Sequence, residues 1–453
     1  MSSEWRSTTL GAICDIQGGA IQTGPFGSQL HTSDYKEVGI PVVMPTNIGD
    51  SGIIEDGIAR IGQIDVDRLS QHVLRLGDIV FSRRGDVTKN ALIRNREVGW
   101  FCGTGCLKVR LGTESIASAK FISHCLRLPD TKDWLVRHAV GATMPNLNTG
   151  ILSAVPIHLP PLKDQREMAG ILDALDYRIA LLRETNATLE SIAQALFKSW
   201  FVDFDPVYAK QQGIAPAGMD DATAAFFPDG FEESALGLVP KGWLVHRLGD
   251  VVMRITKGTT PTTLKRPFVE AGINFVKAES MTDDGGFIVE KFAFIDRETH
   301  DLLGRSQLKA GDVLISIAGT IGRVAIMPED FLPANTNQAV ALIRPMQTRF
   351  PSGLISRFLQ RDESRQLMSE RVVQAVQANL SLGTLSDLKI ALPSAEITCQ
   401  LYRTGMEQVD AGKALNHQKI RTLATLRDTL LPRLISGQLR LPEAEEQIEA
   451  AIA

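Results

Sequence analysis

A leucine pattern with a seven-residue period in Lys163–Trp200 constrains the fold of this chain more than any other feature. The period predicts a helix of about 36 residues, or about 54 Å, whose narrow apolar seam pairs with a second helix. The stretch is too polar to span a membrane. One seam position is polar, and the seam consists of Leu172, Leu175, Ile179, Leu182, Asn186, Leu189, Ala193, Leu196 and Trp200.

A second stretch with the same period, Ile397–Leu434, supplies a partner within the chain. It ends before Gly437, a residue type that often terminates helices. We expect the two helices to pack antiparallel, so that Asn186 and Asn416 meet across the seam and help fix its register. The period is carried by Val409, Asn416, Leu423 and Leu430.

Three residues weaken the second seam. Lys413 and Arg427 occupy positions at which apolar side chains are expected. Pro432 should kink or end the last turn, because proline lacks the N–H group that a helix interior uses. We therefore expect the second helix to be less regular than the first.

An internal repeat defines the organisation of the chain. Gly77–Gly85 and Gly311–Gly319 both read Gly-Asp, three apolar residues, Ser, two variable residues and Gly. All matched segments are offset by 233 to 238 residues, so the chain is two copies of a globular domain followed by a long helix. The other matches are Trp5–Gly11 with Trp243–Gly249, Glu37–Ile40 with Glu270–Ile273, Asn146-Leu147 with Asn379-Leu380, and Ile157–Pro160 with Ile390–Pro393.

Each globular copy is predicted to have a mixed α+β fold that is rich in strands. Ile40–Met44 and Ala339–Ile343 are predicted strands, whereas Ile116–Leu128 and Leu354–Gln377 are predicted helices. The stretch between the copies is rich in proline and glycine and should have little regular structure. The predicted divisions are a globular domain at 1–160, a helix at 161–202, an acidic linker at 203–240, a globular domain at 241–394, a helix at 395–437 and an acidic tail at 438–453.

The net charge of −4 is unevenly distributed along the chain. Phe201–Ala235 carries −6 and Leu441–Ala453 carries −4, which leaves the remainder basic. His72–Arg110 carries +5 and is a candidate surface for phosphate groups. The five scattered cysteines and the lack of an apolar run near about 18 residues favour a cytoplasmic location.

The sequence contains none of the motifs that commonly carry catalysis or bind a cofactor. It has no Gly-x4-Gly-Lys-Ser/Thr, no Gly-x-Gly-x-x-Gly after a strand, no Gly-x-Ser-x-Gly and no His-Glu-x-x-His. The cysteines and histidines lack the spacing of a complete zinc site. We therefore expect no catalytic residue, no metal site and no cofactor in this chain.

Polar and basic loop residues of both copies are the candidate DNA-binding residues. Arg can form two parallel hydrogen bonds with guanine, and Asn or Gln can do so with adenine, whereas Lys and Thr suit phosphates. Arg83-Arg84 stands where the second copy has Ile317-Ala318, so the copies should read two different short sequences. The candidates in the first copy are Gln22, Thr23, Ser28, Gln29, Ser82, Arg83, Arg84, Thr88, Lys89 and Asn90. Those in the second copy are Lys257, Thr259, Thr260, Arg266, Lys277, Ser316, Thr320, Arg323, Asn335, Asn337 and Gln338.

Three further motifs resemble those of a known family. Gly24–Leu30 reads Gly-Pro-Phe-Gly-Ser-Gln-Leu, and Pro160–Arg166 reads Pro-Pro-Leu-x-x-Gln-Arg. At the end of the seam, Leu196–Pro206 reads Leu-Phe-Lys-Ser-Trp-Phe-Val-Asp-Phe-Asp-Pro. Together with the tandem repeat, these motifs resemble the specificity (S) subunit of type I restriction–modification systems over nearly the whole chain. The second copy departs from the pattern, since Ser394 replaces the second proline and Thr398-Cys399-Gln400 stands near the expected glutamine.

This resemblance implies a function without catalysis in the chain itself. Each globular copy would be a target-recognition domain that reads one half of a split site in double-stranded DNA, and the paired helices would set the gap. Two modification subunits would dock on the helices and domains, bringing S-adenosylmethionine and the adenine methyltransferase site. Restriction subunits with an ATP- and Mg-dependent motor and nuclease would complete the complex.

Three other interpretations remain open from the sequence. A methyltransferase or nuclease in its own right would need a cofactor loop or carboxylate cluster, and S-adenosylmethionine binding by the isolated chain would reveal the former. A coiled-coil scaffold would explain the helices but not the two globular copies with divergent loops. A stand-alone DNA-binding regulator would need tight binding without partners, which the modest charge disfavours.

Overall fold

The computed structural model describes residues 5–49, 52–141, 144–370, 373–374 and 378–452. Helices and strands are mixed, as predicted. The chain divides into two compact units, of which residues 1–181 with 419–453 form the first and residues 182–418 form the second. Each unit therefore contains one globular copy together with parts of both long helices.

Two four-stranded sheets form the first copy. In the first sheet, β11 (Cys106–Gly112) pairs antiparallel with β2 (Gly18–Thr23) and β8 (Ile79–Ser82), and with β9 (Asn90–Leu92) the order is β2-β11-β8-β9. The second sheet consists of β10 (Phe101–Cys102), β4 (Ile40–Val43), β7 (Ala59–Ile61) and β3 (Tyr35–Lys36) in that order, with β4 and β10 parallel. β1 pairs with β12, which places the start of the copy beside its end. The elements are β1 (Arg6–Thr9), α1 (Leu10–Gln17), β2 (Gly18–Thr23), β3 (Tyr35–Lys36), β4 (Ile40–Val43), β5 (Ile48–Gly49), β6 (Gly52–Ile53), β7 (Ala59–Ile61), α2 (Gln63–Arg68), β8 (Ile79–Ser82), β9 (Asn90–Leu92), β10 (Phe101–Cys102), β11 (Cys106–Gly112), α3 (Ala119–Cys125), α4 (Pro129–His138), α5 (Thr149–Ser153), β12 (Pro156–Leu159) and the long helix α6 (Leu162–Phe201).

The second copy repeats this architecture, which confirms the internal repeat. Its main sheet has the order β16-β22-β19-β20, β15 pairs with β25, and β17 is parallel to β21 in a three-stranded sheet with β18. The elements that follow α6 in the chain are α7 (Asp205–Gln211), α8 (Asp221–Ala224), β13 (Phe231–Ser234), β14 (Gly237–Pro240), β15 (Leu244–Arg247), α9 (Leu248–Val251), β16 (Val252–Lys257), β17 (Ile273–Val276), β18 (Ala293–Ile295), α10 (Arg297–Leu302), β19 (Val313–Ser316), β20 (Val324–Ile326), β21 (Ala334–Thr336), β22 (Val340–Pro345), α11 (Ser352–Gln360), α12 (Asp362–Glu370), β23 (Val373–Gln374), β24 (Ala378–Asn379), α13 (Leu382–Ser386), β25 (Lys389–Leu392), α14 (Ala395–Gly405), α15 (Glu407–Ile435) and α16 (Leu441–Ile452). Short 3-10 helices lie at Thr32–Asp34, Pro45–Asn47, Ser70–His72, Asn95–Glu97, Pro261–Leu264, Ala278–Ser280, Val289–Lys291, Gly304–Ser306 and Glu329–Phe331.

The same turn precedes the central strand of both main sheets. Gly77 and Gly311 have φ angles of 82° and 81°, a region that favours glycine because it lacks a Cβ. A buried Asp follows each glycine, and its carboxylate accepts two hydrogen bonds from an Arg of the neighbouring strand. The pairs are Asp78–Arg110 and Asp312–Arg344, with Oδ2–Nη2 distances of 2.6 Å and 2.7 Å.

The first long helix, α6, confirms the heptad prediction. Its bounds differ from the predicted Lys163–Trp200 by one residue at each end. Two seam leucines, Leu189 and Leu196, are half-buried rather than buried. The buried seam residues are Leu172, Leu175, Ile179, Leu182, Asn186, Ala193 and Trp200.

The second helical stretch is not the single helix predicted for Ile397–Leu434. α14 ends at Gly405 and α15 begins at Glu407. A Cβ at Gly405 would lie 2.6 Å from the Trp200 ring, so this close approach requires glycine where the helix breaks. Helix α15 continues through Pro432 and ends three residues later at Ile435, so of the two expected effects, a kink or an end of the last turn, the proline does not itself end the helix.

The two long helices are antiparallel, as expected. In the second unit, Asn416 Nδ2 donates to Asn186 Oδ1 at 2.8 Å, and Asn186 Nδ2 donates to the Lys413 carbonyl at 3.4 Å. Lys413 also pairs with Glu190, so higher numbers on α6 meet lower numbers on α15. The lysine in the seam is thus accommodated by a carboxylate on the facing helix.

The other unexpected seam residue is accommodated in the same way. In the first unit, Leu423 and Leu430 of α15 are buried. Between them, Arg427 Nη1 donates to Asp176 Oδ1 of α6 at 2.8 Å. The irregular seam positions therefore carry ion pairs instead of apolar contacts.

Two other predicted helices need correction. Ile116–Leu128 is reduced to α3, because Gln17 Oε1 accepts the N–H groups of Ile116 and Ala117 and holds them outside the helix. Leu354–Gln377 instead contains α11, α12 and β23, and the backbone is extended at Arg361, between the helices. Residues 371–372 and 375–377 of that prediction lie outside the described residues.

The stretch 203–240 has regular structure, contrary to expectation. It contains α7, α8, β13 and β14. Val207, Phe227 and Val239 are buried in the core of the second unit together with Trp243. Apolar residues between the prolines and glycines thus fold this stretch onto the second copy. The domain boundaries themselves stay a prediction.

Candidate nucleic-acid interface

Loops of the first copy meet at one end of its main sheet. Leu107 of β11 lies opposite both Thr23 and Phe81, so the chain leaves β2 and β8 at the same edge. The Arg83 guanidinium lies 5.8 Å from the centre of the exposed Phe26 ring, and its Nε donates to Asn146 Oδ1 at 3.3 Å. We call this region the first polar edge; it comprises 22–29, 82–90 and Asn146.

The predicted residues of the first copy differ in accessibility at this edge. Gln22, Ser28 and Arg84 are exposed, and all the others are half-buried except Ser82. Ser82 is buried and its Oγ donates to the Arg84 carbonyl, so it shapes the turn, and its role in DNA binding stays a prediction. The half-buried residues are Thr23, Gln29, Arg83, Thr88, Lys89 and Asn90.

Several half-buried side chains at the first polar edge hold the loops in shape. Gln29 Oε1 accepts the Phe26 N–H at 3.0 Å, and Thr88 Oγ1 donates to Asp86 at 2.7 Å. Asn90 Nδ2 donates to the Leu126 carbonyl at 3.4 Å. These residues therefore position the loops, while Arg83, Arg84 and Lys89 supply the positive charge.

The basic segment His72–Arg110 does not form one surface. Arg75 and Arg94 line a cleft at the opposite end of β8 and β9. Lys108 is buried, and its Nζ donates to the Gln71 carbonyl at 2.7 Å. Burial and the neighbouring Arg110 lower the pKa of Lys108. The sequence could not reveal that these cations lie in different places. Successive residues of a strand point to opposite faces of the sheet, and both ends of the strands fall within the same stretch of sequence.

The corresponding edge of the second copy is polar with fewer cations. Lys257 lies opposite Ala341, and Ser316 lies opposite Val340, so the loops after β16 and β19 leave the same edge. Thr260 contacts Gln338 across this edge. We call this region the second polar edge, and it comprises Lys257, Thr259, Thr260, Lys277, Thr320, Asn337 and Gln338.

Two predicted residues of the second copy are buried. Asn335 is fully buried, and its Nδ2 donates to Ser306 Oγ and to the Leu303 carbonyl, both at 3.2 Å. Ser316 is also buried and holds its own turn through the Thr320 carbonyl. Both side chains bond within the fold, and their role as DNA-binding residues stays a prediction.

Three predicted cations of the second copy have acidic partners. Arg266 pairs with Glu298, and Lys277 Nζ lies 3.3 Å from Glu279. Arg323 donates to both carboxylate oxygens of Asp283, at 2.7 Å and 3.2 Å. Arg266 and Arg323 are therefore already paired with carboxylates, and their role in DNA binding stays a prediction.

Main-chain hydrogen bonds build the variable turn identically in both copies. The Arg83 N–H donates to the Gly105 carbonyl at 2.8 Å, and the Arg83 carbonyl accepts from Leu147 at 2.9 Å. Ile317 makes the same two bonds, with Ala339 at 2.8 Å and Leu380 at 2.9 Å. The frame is thus constant while the side chains change from arginine to isoleucine.

The structure also adds residues that sequence reasoning did not include. Phe26 and Asn146 contact Arg83 directly, and Lys277 Nζ lies 5.4 Å from the centre of the Phe268 ring. Phe26 belongs to the Gly-Pro-Phe motif and Asn146 to a repeat match, so both carried a signal. Phe268 had none in the sequence.

Gln165 anchors α6 to the first copy. Its side chain is fully buried, and Oε1 accepts the Ser118 N–H at 3.0 Å. Nε2 donates to the carbonyls of Ile116 at 2.9 Å and Pro160 at 2.8 Å. Thr398 occupies the matching position of the second copy and makes one long bond of 3.5 Å to the Pro393 carbonyl. The sequence departure thus replaces a three-bond anchor with a single bond.

Within the described part of the chain, no three or more His, Cys, Asp or Glu side chains gather as a metal site would require. Over the same residues, no helix combines the length and the apolarity that a membrane span needs. The candidate site therefore consists of the two polar edges and the helix pair.

Comparisons with known proteins agree with this organisation. The family model described as type I restriction modification DNA specificity domain matches residues 2–191 and 240–425. The specificity subunit of the type I restriction enzyme HindI from Haemophilus influenzae is 24% identical, over 83% of this chain and 89% of the relative. That of MjaIX from Methanocaldococcus jannaschii is 23% identical, over 97% and 94%.

A solved structure supports the fold. The type I restriction–modification S subunit from M. genitalium superposes with a TM-score of 0.52 at 14% identity, covering 96% of this chain and 97% of that one. The two family-model matches coincide with the two globular copies and most of the helix that follows each. The chain therefore belongs to the family of type I restriction–modification DNA specificity subunits.

Proposed function

We propose that this chain reads a split site in double-stranded DNA, with one half-site per globular copy, and thereby directs methylation and restriction by partner subunits. One observation carries the proposal: the same main-chain frame holds the half-buried Arg83 and the exposed Arg84 in one copy, whereas the other copy has the buried Ile317 and the half-buried Ala318. Equal frames with different side chains suit two recognition surfaces of different sequence preference.

The two polar edges are the proposed DNA-binding surfaces. At the first, Gln22, Ser28 and Arg84 are accessible to base edges or phosphates, and Arg83 and Lys89 add charge. The second edge has fewer cations, which suits hydrogen bonding to bases with fewer phosphate contacts. Among the other predicted residues, Gln29, Thr88 and Asn90 form hydrogen bonds that hold the loops, and Arg266 and Arg323 pair with carboxylates. Thr23 is half-buried at the first polar edge.

The chain is proposed to act without a catalytic site of its own. Two modification subunits would dock on it and supply S-adenosylmethionine and adenine methylation, and restriction subunits would supply the ATP- and Mg-dependent motor and nuclease. Membership in the specificity family supports this assignment. In this scheme 1–160 and 241–394 are recognition domains, and 161–202 and 395–437 are the spacer helices.

Sequencing of methylated adenines in cells that carry the complete system tests this function. We expect a two-part site with a fixed gap. Replacing Arg83-Arg84 by Ile-Ala should alter the preference at one half only. A continuous site, or a change in both halves, would contradict the proposal. Methylation or cleavage by the purified chain alone would refute the non-catalytic role.

A further inference from the structure

A buried carboxylate joins three elements in the first unit. Asp176 of α6 accepts from Arg127, which follows α3, with an Oδ2–Nη1 distance of 2.6 Å. Its other oxygen accepts from Arg427 of α15 at 2.8 Å. The Asp176 side chain is 3% exposed, and those of Arg127 and Arg427 are 20% and 14% exposed. One side chain thus ties the globular copy, its own helix and the facing helix together.

The two arginines determine the charge state of this carboxylate. Burial would raise the pKa of Asp176, but Arg127 and Arg427 hold it below its ordinary value. One turn earlier, Asp173 accepts from His124 at 3.0 Å and from Lys120 at 2.8 Å. Burial likewise opposes the effect of these partners, which lower the pKa of Asp173 to about 2. The contact between α3 and α6 is therefore ionic along two turns.

The second unit contains the counterpart of this arrangement. Asp410 lies 234 positions after Asp176, an offset of the internal repeat. Arg357 of α11 donates to both of its oxygens, at 2.6 Å and 2.9 Å, and is itself 1% exposed. Arg357 also lies 3.5 Å from Glu190 of α6, which pairs with Lys413. The second globular copy, its own helix α15 and the facing helix α6 therefore meet at a cluster of charges around the buried Arg357.

Such a contact restricts orientation more than an apolar one does. Apolar side chains can slide over one another at little cost, whereas hydrogen bonds between charged groups require a narrow range of distance and angle. Turning or sliding a globular copy on its helix would break bonds to buried charges, which is costly. A shift of one helical residue corresponds to about 1.5 Å and 100°.

We propose that Asp176 and Asp410 are positioning residues that fix how each recognition domain is held on the helix pair, and hence the gap length that the complex accepts. This inference rests on the proposed function. One base pair changes the separation of two half-sites by about 3.4 Å and their relative rotation by about 34°. A domain that is held less rigidly would tolerate such a change.

The test uses the complex of the full chain with its modification subunits. Duplexes carry the half-sites found for the wild type, with the native gap or with one base pair more or fewer. Asp176→Asn keeps the side-chain size and removes the charge. We expect its preference for the native gap, measured as a ratio of methylation rates, to fall by about tenfold. The base preferences within both half-sites should stay unchanged.

A matched control is available on α15. Asp428 pairs with the same Arg427 at 2.7 Å, but its side chain is 58% exposed. Asp428→Asn should leave the gap preference at the wild-type value. If Asp176→Asn does not assemble, Arg127→Lys retains a cation beside the carboxylate, and Asp410→Asn tests the other unit. Both should relax the gap preference.

The outcomes distinguish a failure of the proposed function from a failure of the positioning role. If the wild-type complex shows no two-part site, the proposed function fails. If it does show one and the assembled variants keep the full gap preference, or lose base preference within a half-site, the positioning role is overturned. Relaxed spacing with intact half-sites supports it, because a general loss of stability would lower methylation of all duplexes together.

Discussion

Replacing Gln165 by Leu should destabilise the first unit far more than the matching change destabilises the second. Leu fills a similar volume but removes the partner of three buried main-chain groups. Leaving a buried group unpaired costs about 1–3 kcal/mol. We expect a total loss of about 3–5 kcal/mol, corresponding to a fall in the melting temperature of the first unit of roughly 10 °C.

The second copy provides the control. Thr398→Val is nearly isosteric and removes one bond of 3.5 Å, so it should cost less than about 1 kcal/mol. Calorimetry gives the melting temperatures, and hydrogen exchange assigns each change to a unit through the Ser118 amide, which should lose protection in Gln165→Leu only. Equal losses for the two variants, or a loss below about 1 kcal/mol for Gln165→Leu, would refute the anchoring role.

Four further predictions concern recognition, register, acid stability and spacing. If Arg84 reads a base, Arg84→Ala should lose roughly 1–3 kcal/mol of binding free energy at one position of one half-site. Binding to DNA duplexes with single-base changes checks this, because equal weakening for all sequences would indicate a phosphate contact. Replacing Asn186 and Asn416 together by Leu should raise the melting temperature but weaken the gap preference, because polar seam pairs specify register at a cost in stability; unchanged spacing would contradict this. The folded-state pKa of Asp173 is lowered to about 2, so this group stabilises the fold above about pH 4, and the stabilisation is lost as the pH falls towards 2. In Asp173→Asn the free energy of unfolding, measured by denaturant titration, should therefore fall less steeply between about pH 4 and pH 2. An unchanged pH dependence would count against this role. Adding one heptad to both long helices lengthens each by about 10.5 Å, or roughly three base pairs, and an active variant that keeps the original gap would exclude the helices as the spacer.

The long helix and the repeat could be predicted because their signals are local and periodic. A seven-residue period specifies one face of a helix, and the repeat needs only two matching stretches of sequence. The break after Gly405 was not predicted, and the close approach of Gly405 to Trp200 joins residues that are distant in the chain. The fold of 203–240 escaped prediction because its apolar residues are buried by contacts with residues outside the stretch, such as Trp200 of α6 and Trp243.

The candidate site was predicted less completely than the fold. Loop position indicated which residues lie near the two edges, but not which side chains are already engaged. Asn335 looked available in the sequence and is buried, whereas Arg323 is paired with an Asp 40 residues earlier. Charge counted along the sequence also failed, since Lys108 is buried within the basic segment. Composition describes a stretch of chain, whereas binding depends on the surface that folding leaves exposed.

The variable turn has a consequence for how such a protein can evolve. The same main-chain bonds hold Arg83 and Ile317, but Ile317 packs in the core of the second unit, whereas Arg83 is half-buried and Arg84 is exposed. Substitutions at Arg83 and Arg84 can therefore alter the surface of the first copy with little effect on stability, whereas substitutions at Ile317 would disturb a core. A new half-site preference could then arise by point substitution within a single copy, while the other copy retains the old one.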